Sequence, residues 1–187
     1  MVSDSNGKVA ISTTTDTEIG YVNGVTSAIQ TQLNGKQKTI YYGSMYEDTP
    51  AGNTWSLGAS ANNITKWSNS TAGELSGMTH STPNDDLTIS AGSAGIYFVD
   101  ANVAGLLSSN NTTYTFYIYK TTGGSPASTS LKSYCRVSNA ANSTANVKIS
   151  GLLSLAEGDI IDLRASAATT NASITTYHAD VTLVRVG

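Results

Sequence analysis

The sequence has a single cysteine and only two histidines in 187 residues. One cysteine excludes an internal disulfide, and Cys135 in SLKSYCRVS reads as a small buried hydrophobe on one face of a strand. His80 in GMTHSTP and His178 in TYHAD belong to no recognisable metal spacing, so surface or capping roles are expected and no metal or cofactor is implied within one chain. Charge is also scarce. Asp, Glu, Lys and Arg make up 12% of the chain, with a formal net charge of −3. The ten Lys and Arg are scattered rather than striped, which argues against nucleic acid as a partner. No apolar run is long enough to cross a bilayer, and MVSDSNGKVAISTTT lacks the charged-then-apolar pattern of a secretory signal, so no membrane insertion and no signal peptide are expected. No G-x-S-x-G stands beside a credible acid and base, and acidic residues are sparse outside turns, so no catalytic residue is assigned.

What the chain does contain is a Ser/Thr/Asn/Gly background, 39% hydrophobic residues and ten tyrosines. That composition suits short strands and many turns. From residue 39 onward apolar residues recur with period two, predicting strands over 39–47, 63–69, 86–90, 95–105, 112–120, 130–138, 144–155, 158–166 and 173–186. Turn-rich text such as TPAGN, TPNDD, KTTGGSPAS and AEGD separates them. The expected fold is all-β: a jelly-roll sandwich head over 39–187, preceded by a polar arm and a short α-helical stalk over 1–38.

The stalk is the one helical stretch. Thr15 and Glu18 have capping-box spacing, and Asn34-Gly35 suits a C-terminal cap, predicting one helix from Asp16 to Leu33. Ile19, Val22, Thr26, Ile29 and Leu33 fall at alternating spacings of three and four, a heptad seam. Gly20 and Gly24 each cost about 1 kcal/mol relative to alanine, so such a helix needs neighbours. Copies of the same chain could bury the seam as a trimeric coiled coil, its branched residues favouring a trimer; packing on the chain's own β domain is the alternative.

The head gives a parallel signal. In GIYFVDANVAG, Tyr97, Val99, Ala101 and Val103 share one face, yet Ile96 and Phe98 occupy the other; near the end Val181 and Leu183 alternate with Val184 and Val186. A sheet apolar on both faces needs a second cover, which a symmetry mate would supply. Asp162 and Arg164 share the face opposite Ile161 and Leu163 and are candidates for inter-subunit ion pairs. Asp85-Asp86, and Glu157 and Asp159 around Gly158, could ligate calcium but fit better as turn residues bonding their own backbone. Trp55, Trp67, Asn110 and Asn111 lie among small polar residues in or beside the longer loops, a composition common on sugar-binding surfaces, and are candidates for receptor contact.

Two resemblances rest on longer words. EIGYVNGVTSAIQTQLNGKQ closely resembles a module found repeatedly in bacteriophage tail fibres and related viral fibre proteins. LTISAGSAGIYFVDANV, then SGLLSLAEGDIIDLRAS, then HADVTLVRVG resemble the compact trimeric jelly rolls of the tumour necrosis factor and complement-subcomponent type. The resemblances imply a homotrimer whose inner sheets meet on the three-fold axis, and a non-catalytic viral fibre or spike tip. Such a protein would attach to a host surface glycan or protein and use its N-terminal arm to join other virion proteins. They imply a virion location after synthesis in the host cytoplasm. A capsid decoration or head fibre built on the same trimer is the alternative, and a glycan depolymerase the third.

Overall fold

The computed structural model describes residues 2–3, 6–7, 9–10, 15–25, 28–36, 39–58, 62–63, 71–82, 84–109, 111–123, 128–137, 143–169 and 171–187. The chain divides into two compact units, Met1–Thr39 and Ile40–Gly187.

In the first unit a short antiparallel pair, β1 (Val2–Ser3) and β2 (Val9–Ala10), precedes the helices α1 (Asp16–Tyr21) and α2 (Ile29–Lys36). The capping box forms: the Thr15 hydroxyl accepts from the Glu18 amide at 3.2 Å, and the Thr15 amide donates to the Glu18 carboxylate at 2.7 Å. The single helix expected from Asp16 to Leu33 is instead two. Val22 caps α1, and the following turn places Gly24 at φ +88, a left-handed conformation that glycine adopts without steric cost. The expected cap at Asn34-Gly35 lies inside α2, whose helical backbone runs on to Lys36. The heptad seam is therefore interrupted at its middle, and Thr26 lies outside the described residues. Ile19, Val22, Ile29 and Leu33 are 55, 44, 50 and 57% exposed.

The second unit is a sandwich of antiparallel strands. In chain order these are β3 (Tyr42–Leu57), β4 (Asn62–Asn63), β5 (Thr71–Ser76), β6 (Met78–Ser81), β7 (Asp86–Ile89), β8 (Gly95–Leu107) and β9 (Thr112–Thr121). Then follow β10 (Ser128–Val137), β11 (Ser143–Leu155), β12 (Ile160–Ala167) and β13 (Ala172–Arg185). One sheet has the order β11-β8-β13-β3-β5; the other runs β10-β9-β12-β7-β6, with β4 pairing β12.

Period-two alternation builds the core. Tyr97, Val99, Ala101, Val103, Val181 and Leu183 point inward from the five-stranded sheet, and Tyr114, Phe116, Ile118, Ile161 and Leu163 from the other, all 1% exposed or less. Each such valine, leucine, isoleucine or phenylalanine side chain contributes about 1.5–3 kcal/mol by leaving water. The later strands carry few aromatics because small residues face the large ones: Ala165 is the register partner of Phe116, and Ala167 of Tyr114.

Strands β5 and β6 are not visible in the period-two reading, and of the segment expected at 63–69 only Asn63, the end of β4, lies within the described residues. The TPAGN turn is absorbed into β3 as a wide irregularity. Thr176 pairs with Asn53 and His178 with Asp48, so a single residue of β13 opposes the extra residues of β3. The AEGD turn is tied down by its own acids: Asp159 accepts from the Ala156 amide at 2.8 Å and from Lys120 at 2.7 Å, and Glu157 accepts from the Gly92 amide at 2.7 Å. Asp85 adopts φ +51 in a turn closed by its amide on the Ser81 carbonyl at 2.7 Å.

Candidate functional site

The outward face of the five-stranded sheet is where the sequence pattern and the coordinates converge. Because β8 alternates, burying Tyr97 and Val99 turns Ile96 and Phe98 outward. Phe98 is the register partner of Leu152 on β11 and of Val184 on β13, and Val184 is that of Tyr42 on β3. Leu152, Phe98, Val184 and Tyr42 thus form one cross-strand row over four strands, 61, 41, 36 and 40% exposed respectively. Ile96, Val186 and Ile40 extend the apolar area beyond this row; the Val186 amide donates to the Ile96 carbonyl at 2.8 Å.

Away from this band the same face becomes polar. Ser150, Asp100, Thr182 and Ser44 make the next outward row, and Lys148, Asn102, Asp180 and Tyr46 the one after. Lys148 pairs with Asp100 at 3.1 Å, and the Asn102 amide donates to both carboxylate oxygens of Asp180 at 3.1 Å. His178 Nε2 lies 3.0 Å from Asp180, and its Nδ1 lies 4.0 Å from Asp48. Such half-exposed pairs contribute little stability, roughly 0–1 kcal/mol each, but they fix which side chains stand where on the face. The face thus carries an apolar band with an ordered polar field beside it.

The other expected site residues fall elsewhere. Asp162 and Arg164 lie on the outward face of the opposite sheet and bond each other: Nε to Oδ1 at 2.7 Å and a terminal guanidinium nitrogen to Oδ2 at 2.6 Å. The guanidinium also sits 4.1 Å from the centre of the Tyr119 ring. The two carboxylate–guanidinium bonds lie within one chain, because residues two apart on a strand share a face and reach each other first. The Asp162 carboxylate pushes the Arg164 guanidinium up from its ordinary range. Asp86 stands beside Asp162, one step along the ladder from the Leu87–Ile161 pair, and burial, reinforced by the Asp162 charge, raises its carboxyl to about 6.

Trp55 is partly buried, packs against the core and donates its indole N–H to the Thr176 hydroxyl at 3.3 Å. That anchors the ring at the edge of the sandwich while leaving it half-buried. Asn111 is exposed at φ +49, a turn-forming conformation between β8 and β9. Trp67 and Asn110 lie outside the described residues. Tyr42, Tyr46 and Leu152 belong to the open face without having been singled out; the doublets Tyr41-Tyr42 and Leu152-Leu153, which place an apolar residue on each side of a strand, were the available signal.

No family model and no curated protein sequence matches this chain. Among solved structures it is similar to the Eiger tumour necrosis factor of S. frugiperda, at 11% identity and a TM-score of 0.57, covering 80% of this chain and 94% of that one. It is also similar to murine APRIL at pH 5.0, at 15% identity and a TM-score of 0.53, covering 79% of this chain and 100% of that one. The same murine protein at pH 8.0 gives 15% identity and a TM-score of 0.52. The head has the jelly-roll fold of tumour-necrosis-factor-like proteins.

Proposed function

We propose that this chain is a self-associating, non-catalytic attachment protein: a homotrimeric viral fibre or spike tip. Its head would contact a host surface glycan or protein, and its N-terminal unit would join other virion proteins. The observation that carries this reading is the uncovered row Leu152, Phe98, Val184 and Tyr42 on the open face of the head. A monomer leaves that row in water, whereas copies of the same chain meeting face to face on a symmetry axis remove it. The tumour-necrosis-factor-like fold and the fibre-like wording of residues 18–37 support the assembly and the viral setting respectively. Several shallow receptor sites on one assembly would gain strength from multivalency where the receptor is repeated at matching spacing.

Light scattering on the full chain and on residues 40–187 tests the assembly: a mass of three chains in both is expected, and a single-chain mass at micromolar concentration would end the proposal. A glycan array and a whole-cell binding assay with the purified assembly test attachment. A folded assembly indifferent to every intact candidate host surface counts against the attachment role while leaving the assembly standing.

A further inference from the structure

All the Asn-Gly steps of this sequence, Asn6-Gly7, Asn23-Gly24 and Asn34-Gly35, fall within Met1–Thr39, and none occurs from Ile40 to the end. The structure places them in different backbone settings. Asn23-Gly24 lies in the exposed turn after α1, where the Asn23 amide donates to the Gly20 carbonyl at 3.2 Å and the Val25 amide to the Val22 carbonyl at 3.0 Å. Gly24 has φ +88, and apart from its chain neighbours no heavy atom lies within 4 Å of the position a β-carbon would take, so no other segment crowds the turn on that side. Asn34-Gly35 is held inside α2, where the i to i−4 ladder engages the glycine amide and fixes its backbone angles.

From this contrast we infer that Asn23 is a site of spontaneous deamidation, a modification that changes the charge and length of the connection between α1 and α2. The peptide nitrogen of Gly24 attacks Cγ of Asn23, a C–N bond forms, the Cγ–Nδ2 bond breaks, and ammonia leaves with the proton lost from the peptide nitrogen. Water then opens the cyclic imide at either carbonyl, giving aspartate or isoaspartate. No oxidant, reductant or enzyme is needed. The reaction requires the glycine nitrogen to reach the side-chain carbonyl, which an open turn permits and a helical peptide opposes. The product carries a carboxylate one residue past the Val22 cap, beside the negative end of the α1 dipole, where a negative charge is unfavourable. Isoaspartate in addition routes the main chain through one more carbon between the two halves of the Ile19 to Leu33 seam. Asn6-Gly7 lies in the turn between β1 and β2, with Gly7 at φ +74.

Trypsin provides an internal control, because Val9–Lys36 contains no other Lys or Arg and so carries both Asn23 and Asn34 on one peptide. The full-length protein is aged in mildly alkaline buffer and digested, and fragment ions locate the amide-to-acid mass gain; isoaspartate methyltransferase labelling identifies the isomer. Conversion at Asn23 is expected to outpace that at Asn34 by roughly tenfold, the factor corresponding to a modest free energy for opening the helix locally. In urea, where α2 is lost, the two rates should converge. Asn23→Gln should abolish acid formation at position 23 and leave the rate at Asn34 unchanged. Equal rates at the two asparagines in the native chain, or a native Asn23 slower than in urea by as much as Asn34 is, would overturn the inference. The chemistry stands apart from the proposed assembly, since the ratio is read within one peptide whatever the oligomeric state.

Discussion

Phe98 and Val184 are register partners on neighbouring strands, and both turn to the uncovered side of the five-stranded sheet. Their sequence neighbours Tyr97 and Leu183 turn the other way and are completely buried. One step along the strand thus separates residues that hold the sandwich together from residues available to hold copies of it together. Substitutions at adjacent positions should divide accordingly.

Phe98→Asp is expected to leave the far-ultraviolet circular dichroism of the head unchanged while shifting its mass by light scattering from three chains to one. A carboxylate brought into an apolar contact costs several kcal/mol if charged, enough to weaken assembly by about a thousandfold. Tyr97→Ala should behave oppositely. It empties a fully buried site whose hydroxyl donates to the Ser93 carbonyl at 2.6 Å, and a cost of about 3–5 kcal/mol should lower the melting temperature steeply at any protein concentration. If Phe98→Asp unfolds the head as Tyr97→Ala does, the open face is not what this reading takes it to be.

The buried carboxyls of the opposite sheet predict a pH effect. Asp86 has its carboxyl raised from 3.8 to about 6 in the folded chain, so the folded state holds the proton more tightly than the unfolded state. Stability through this group is therefore highest at low pH, falls as pH rises from near 3.8 towards 6, and carries its full penalty above that. Asp86→Asn, which is neutral throughout, should raise the melting temperature at pH 7 by an amount worth on the order of 1–2 kcal/mol and give no gain below about pH 4. Thermal melts of both proteins across pH 4–8 provide the check, and a gain independent of pH would point to a cause other than this carboxyl.

Asp162→Ala separates an ion pair within the chain from one between chains. It removes the partner that Arg164 grips with both nitrogens and leaves the guanidinium on the Tyr119 ring, at a cost of about 1–3 kcal/mol. A lower melting temperature with unaltered mass by light scattering is the expected outcome. Loss of assembly without loss of stability would instead assign the pair an inter-subunit role.

Much of the head was legible because its strands alternate cleanly. The run Tyr97, Val99, Ala101 and Val103 against Ile96 and Phe98 announces both the core face and the uncovered one. What stayed hidden has physical causes. β5 and β6 carry too few apolar residues on a regular period for their pairing to show, and it is set by neighbours distant in sequence. The irregularity in β3 looks like an ordinary turn because proline and glycine cannot distinguish a loop from a bulge flanked by paired strand. In the first unit, heptad spacing continues in the sequence across a place where the helix does not, since spacing counts residues and ignores the left-handed turn that Gly24 makes possible. Trp55 illustrates the same limit at the candidate site: polar neighbours in the sequence suggest an open ring, whereas Thr176, distant in sequence, captures its N–H.

The capping box offers a prediction confined to the first unit. The Thr15 amide and hydroxyl both donate to the Glu18 carboxylate, lowering its pKa below the ordinary 4.5, the backbone bond being the larger cause. A depressed carboxylate contributes stability above its unfolded-state pKa and loses it as pH falls through the folded one. The helical signal of α1 should therefore weaken as the solution is acidified below about 4.5, in a range where Asp86 makes the head more stable rather than less. The Cα chemical shifts of residues 16–21 in the full chain, compared with those of its Thr15→Val variant over pH 2–7, isolate the effect. The parent should lose helicity on acidification, whereas the variant, deprived of the hydroxyl that accepts the Glu18 amide, should start lower and change less. Equal pH profiles for the two would mean that the box closes in the structure without holding the helix end in solution.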